Sequence, residues 1–282
     1  SKGTVSNLDI QQVGRGCGIT ALRADRFKSR INATYTVSGS GGGSRPLNLD
    51  AAGTLTDSEL FGASVPRMDV GAKLAGADMQ VRALGQLAGL NPEVITGNEK
   101  AKGDITGAVD VNATLRNYRE GVTADSVDAT GRINLGQSTI AGLSIETAVI
   151  DGTYANREGQ INQLSVKGPD INLQGQGPLA LNETGASNMQ VHFETAALER
   201  VGEVIGQPLK GAALVDAKLT GNARQLQASG TLKGSNLGHG NNEALNLDTT
   251  FTVAIPDLTP AQAAIRPDTQ ATFLLGGSQQ NT

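Results

Sequence analysis

The sequence contains no tryptophan, three tyrosines and five phenylalanines in 282 residues, so aromatic side chains make up only 3%. Aromatic rings supply the largest buried areas in ordinary protein interiors. Their scarcity excludes a core built on them, and small and aliphatic side chains must pack instead. A single cysteine, Cys17, excludes an intramolecular disulfide. With no histidine nearby and no family signature around it, Cys17 reads as a part-buried thiol rather than a nucleophile. The two histidines, His192 and His239, stand apart from any cysteine cluster or HExxH spacing, so no metal site and no cofactor are expected. No apolar run approaches the ~18 residues that a membrane-crossing helix needs.

Charge of one sign is also missing. Lys and Arg total 23 against 27 Asp and Glu, a net charge of -4. No dense basic cluster stands ready to hold phosphates, which argues against a nucleic-acid partner. Gly14-Arg15-Gly16-Cys17-Gly18 has the glycine density of a phosphate loop but lacks its Lys-Ser/Thr ending and any βαβ setting, so it reads as a turn. Asp110, Asp216 and Asp248 fall on the polar sides of separate strands, with no spacing that converges two carboxylates on a substrate. No enzyme activity is expected.

What the chain does have is glycine, 37 residues of it, and an insistent period of two. Ile31, Ala33, Tyr35 and Val37 alternate with Asn32, Thr34, Thr36 and Ser38; Ile105, Val109, Val111, Ala113 and Leu115 alternate with Thr106, Asp110, Asn112, Thr114 and Arg116. Such alternation puts apolar side chains on one face of a strand and polar ones on the other. Residues 47–56, 70–74, 79–82, 104–116, 127–135, 143–154, 160–167, 170–181 and 188–194 read as strands, and the stretch 210–253 as a meander. The strand over 104–116 would extend roughly 40 Å, long for a globular sheet.

Leu84, Leu87 and Leu90 recur at spacings of three and predict a helical turn ended by Asn91-Pro92. Ala197, Val201, Val204 and Ile205 predict a helix over 196–205, closed by Gly206 to Pro208. Residues 5–10 fit a strand, 21–30 either a short helix or an edge strand, and the glycine-serine stretch 38–46 a hairpin end or a linker. Residues 257–260 fit either a helix start or a turn.

Three segments align with one another, beginning at Ala51, Asp128 and Gln227. Met79-Gln80-Val81-Arg82 matches Met189-Gln190-Val191-His192, and Lys102-Gly103 matches Lys210-Gly211; each match is separated by about 110 residues. A module of that length, present about twice, divides the chain into an N-terminal segment 1–30, a first module or modules 31–187, a second 188–275 and a polar tail 276–282. The start on Ser1-Lys2 and the polar end read as a segment of a longer protein, with any anchor or targeting signal outside it.

An antiparallel sheet with one apolar face must cover that face. Two short helices are too small for that, which leaves a sandwich or barrel, a solenoid coil, or an open groove covered by something other than this protein. The x-G-x-L strand starts, PLKGAALVDAKLTGNARQL at 208–226 and QLSVKGPDINLQGQGPLAL at 163–181 resemble the AsmA-like family, especially its TamB-type members. The resemblance spans residues 30–275 in rhythm and weak motif. It implies a mainly β, elongated, stacked antiparallel β-groove, taco-like, with a few short helices. It further implies a periplasmic segment, anchored in the Gram-negative inner membrane through sequence not present here. Such a segment shields phospholipid acyl chains in transit between inner and outer membranes and serves outer-membrane biogenesis.

The expected partners are phospholipid or another acyl-chain lipid, flanking parts of a longer chain, and inner- and outer-membrane envelope proteins. The expected lining is Ile105, Val109, Val111, Leu115, Leu135, Ile171, Leu173, Leu179, Leu181, Met189, Val191, Phe193, Val215, Leu219, Leu232, Leu245, Leu247, Phe251 and Val253. The alternatives are a closed β-solenoid of structural or adhesin-like role, and an enzyme on a β-scaffold.

Overall fold

The computed structural model describes residues 1–16, 18, 20–42, 45–205, 207–239, 242–258, 264–265 and 271–274. Cys17 and the tail 276–282 lie outside them. The chain is mainly β, 69% strand and 12% helical, and its sheet is antiparallel and open rather than closed.

Two compact units divide it: residues 1–140 with 149–156, and residues 141–148 with 157–282. The boundary expected at 187/188 falls inside the second unit.

In the first unit β1 (Lys2–Leu8) leads into helix α1 (Ile10–Gly16) and two single 3-10 turns, followed by β2 (Ile31–Gly42), β3 (Arg45–Leu60), β4 (Ala63–Ala75) and β5 (Asp78–Leu90). Helix α2 (Pro92–Thr96), β6 (Gly103–Leu115), β7 (Val127–Leu135) and β8 (Ser138–Ile140) follow. Strands β1 to β7 pair consecutively and antiparallel.

The second unit takes in β9 (Leu143–Ile145). Strand β10 (Thr147–Ala155) lies mainly in the first unit. Then come β11 (Glu158–Gly168), β12 (Ile171–Ala180), β13 (Ser187–Thr195), α3 (Leu198–Ile205), β14 (Leu209–Gly221), β15 (Gln225–His239) and β16 (Asn242–Pro256). Strands β11 to β16 again pair consecutively and antiparallel. These ladders leave no place for the coils of a closed solenoid.

The predicted helical turn at Leu84, Leu87 and Leu90 is corrected: all three lie in β5. The register of β5 on β6 shifts between Leu87 and Leu90. An extra residue there breaks the period of two and creates a helix-like spacing of three. Leu84 lies on the opposite face and is exposed. The helix comes afterwards, as α2. The Asn91 side chain caps it, accepting from Glu93 N at 3.2 Å and from Gly103 N of β6 at 3.0 Å.

Residues 10–16, read partly as strand end and partly as turn, form α1. The strand expected over 143–154 is split into β9 and β10. The stretch 38–46 is a hairpin end, since β2 runs to Gly42 and β3 restarts at Arg45. Asp257 and Leu258 both take positive φ, in a turn; Thr259 and Pro260 lie outside the described residues.

The repeat seen in sequence is a strand–helix–strand unit, β5–α2–β6 and β13–α3–β14. A third copy, β1–α1–β2, has the same order without the sequence match. In each, the helix connects two paired antiparallel strands and therefore sits at one end of the ladder. The first unit's core lies at that end. Ile31, Leu55, Val65 and Met68 are buried, and Ile10 of α1 packs against them. In the second unit Leu143, Ile145, Ile171 and Ala213 are buried, and α3 contacts β9 and β14.

Candidate functional site: the apolar sheet faces

Cα-paired residues on neighbouring antiparallel strands share a face, so the registers trace rows of side chains across each sheet. In the first unit one row is Val37, Ala51, Ala72, Val81, Ala113 and Ala129. The next is Tyr35, Gly53, Val70, Ala83, Val111 and Gly131, and the next Ala33, Leu55, Met68, Gly85, Val109 and Ile133. On the far side lie Leu49, Leu74, Met79, Leu115 and Val127.

Every one of these side chains is apolar apart from the Tyr35 hydroxyl, and they are half-buried or buried throughout the described positions. The other face carries Asp50, Lys73, Gln80, Arg82, Asp110 and Asn112, all exposed. A hollow of about 530 Å³ follows the alanine-rich row, where the side chains are smallest.

The second unit repeats the pattern. Leu173, Phe193, Val215 and Leu232 form one row; Gly175, Val191, Ala217, Gly230 and Phe251 the next; Met189, Leu219, Ala228 and Val253 a third. Leu247 continues the row Thr195, Ala213, Gly234. Ile171 lies two residues before Leu173 on the same strand side and is buried.

Of the expected lining, Val109, Val111, Leu115 and Leu135 thus share the first unit's apolar face, with Ile105 set against Leu90 beyond the bulge. Ile171, Leu173, Met189, Val191, Phe193, Val215, Leu219, Leu232, Leu247, Phe251 and Val253 share the second unit's.

Leu179, half-buried and opposite Gly159 near the end of β12, keeps the strand side of Leu173. Leu181 and Leu245 depart from this pattern. Leu181 lies past the end of β12; its N–H donates to Arg157 O at 2.7 Å and its carbonyl accepts from Arg157 Nε at 2.8 Å. Leu245 is 49% exposed. Its strand partner region contains Asn236 at φ 51, a local departure from the extended chain that the alternation in sequence does not reveal. The sequence reading also omitted the apolar face of β2 to β5, although Val37, Leu49, Val70 and Leu74 carry the same period of two.

Charged groups stay on the polar face or at strand ends. His192 Nδ1 and Asp216 Oδ1 are 2.7 Å apart, and Arg132 reaches Asp151 at 3.4 Å. Arg224 pairs with Glu183, whose carboxylate raises the pKa of the guanidinium by hydrogen bonding and charge. Among the described residues no group of three or more His, Cys, Asp or Glu side chains converges as a metal site would require, and no helix is long and apolar enough to cross a membrane.

Comparison with protein-family models, curated proteins and solved structures finds no match to this chain.

Proposed function

We propose that the chain is a non-enzymatic segment of a lipid conduit, in which the apolar face of each unit shields acyl chains of phospholipid on their way between the inner and outer membranes. The observation that carries this reading is the run of apolar rows in register across consecutive strands of an open sheet. The helices stand at strand ends, where they leave the middle rows uncovered.

Moving one methylene out of water is worth about 0.8 kcal/mol, so a 16-carbon chain carried bare through water would cost on the order of 10 kcal/mol. An acyl chain in a bilayer reaches through half of its ~30 Å hydrocarbon core, roughly 15 Å. The first unit's strands β1 to β7, at ~4.8 Å each, present roughly 30 Å of apolar face, enough to cover the whole chain. The poverty in aromatic residues suits a smooth aliphatic wall along which chains slide. In this reading the protein works in the periplasm, anchored through sequence outside this chain, alongside envelope proteins of both membranes.

The test is extraction of the chain from cells without detergent, followed by lipid mass spectrometry. Stoichiometric phospholipid supports the proposal. Protein free of acyl lipid, still folded by circular dichroism, overturns it.

A further inference from the structure

We propose that the polar face of the second unit binds an anionic oligosaccharide, of uronic-acid type, along the row Gln176, Gln190, Lys218 and Ser229. A hollow of about 770 Å³ lies along these strands. Lys167 lines it while Val166, its neighbour on the apolar face, does not, which puts the hollow on the polar side.

The registers set Gln176, Gln190, Lys218 and Ser229 in one row, and Ser165, Gln174, His192 and Asp216 in the row beside it. A chain lying across the strands therefore meets a fresh pair of polar side chains every ~4.8 Å, close to the advance of one sugar residue in an extended 1,4-linked glycan, about 5 Å. Primary amides donate and accept at once, as vicinal hydroxyls do.

Charge selects the class of sugar. Lys167 and Lys218 line the hollow and form no ion pair among the described residues, whereas its one carboxylate, Asp216, is held by His192 at 2.7 Å. The comparable polar row of the first unit, Asp50, Lys73, Gln80, Thr114 and Asp128, sets its lysine directly opposite the Asp50 carboxylate, which disfavours an anion there. No Phe or Tyr lines the second unit's hollow, and its one ring, the His192 imidazole, is engaged with Asp216, so it lacks the run of stacking platforms on which single-stranded nucleic acid relies. The inference is independent of the lipid reading, because it uses the opposite face.

The test is titration of the full chain with a 1,4-linked hexauronate, with the neutral hexaglucoside and inorganic phosphate as comparison probes, at low and high salt. The hexauronate is expected to bind, more weakly as salt rises, and at least about tenfold better than the neutral oligomer. Lys218→Gln and Gln190→Ala should each weaken it about three- to tenfold, with unchanged melting temperature, while Lys73→Gln leaves it unaltered. Absence of binding at millimolar oligomer, equal loss in Lys73→Gln, or phosphate competing as well as the hexauronate would overturn the proposal.

Discussion

Ser58 Oγ replaces a backbone partner of Asn32: it accepts from Asn32 N at 2.9 Å and lies 3.1 Å from the carbonyl oxygens of Asn32 and Thr56. Ser138 makes the same set with Thr106, accepting from its N–H at 3.1 Å and lying 3.4 Å from its carbonyl and 3.1 Å from that of Gly136. Both serines are buried, Ser58 at 1% exposure. Both belong to aligned repeat segments, so one device stitches the helix-bearing end of the ladder twice. Ser58→Ala would orphan a buried amide and should destabilise the first unit by about 1–3 kcal/mol, read from urea unfolding. A shift under about 0.5 kcal/mol would mean that water replaces the hydroxyl.

Gly85 faces the backbone of β4 so closely that an added Cβ would lie 2.4 Å from Arg67 O and 2.5 Å from Met68 Cα. Gly85→Ala should cost about 1–3 kcal/mol, because backbone rather than a flexible side chain must yield. Gly136, where an added methyl would meet nothing within 4 Å, is the control and should tolerate alanine. Equal stability of the two variants would contradict the register of β5 on β4.

Asn91 ends β5, caps α2 and holds the start of β6 through one side-chain oxygen. Asn91→Ala should lose about 1–2 kcal/mol, and Asn91→Asp should retain most of the stability, since a carboxylate can accept both N–H groups. Hydrogen exchange at Glu93 and Gly103 would show the loss locally.

On the apolar faces, Val111→Asp and Phe251→Asp place a carboxylate in the middle rows. Lipid bound by the purified chain should fall several-fold in each, with circular dichroism unchanged. Val109 is a poorer probe because it packs against the buried cluster of the first unit, so its loss would mix stability with binding. Retained lipid in both variants would argue that the chain carries it elsewhere.

Much of this architecture is written in the alternation of side chains. Strand β7 matches its expected bounds and β6 is displaced by a single residue, because nothing interrupts their period of two. The errors cluster where a ladder gains a residue. The bulge in β5 turned a strand into an apparent helix, and the break after Ile145 divided what alternation had joined. Leu181 was misplaced for a related reason, since apolar spacing continues one residue beyond the point where β12 leaves the ladder. The hollow along Ala51, Ala72, Val81, Ala113 and Ala129 was not legible at all. It depends on small residues from different strands falling into one row, and register is a property of the paired chains.

The central claim is that the apolar face, and not the polar face, meets acyl chains. The most direct measurement is photo-crosslinking in cells, with a photoreactive residue at Val111 or Phe251 and, for comparison, at Leu84 on the polar face. The account predicts lipid adducts by mass spectrometry at Val111 and Phe251 and none at Leu84. Adducts of equal yield at all three, or protein adducts alone at Val111 and Phe251, would contradict it.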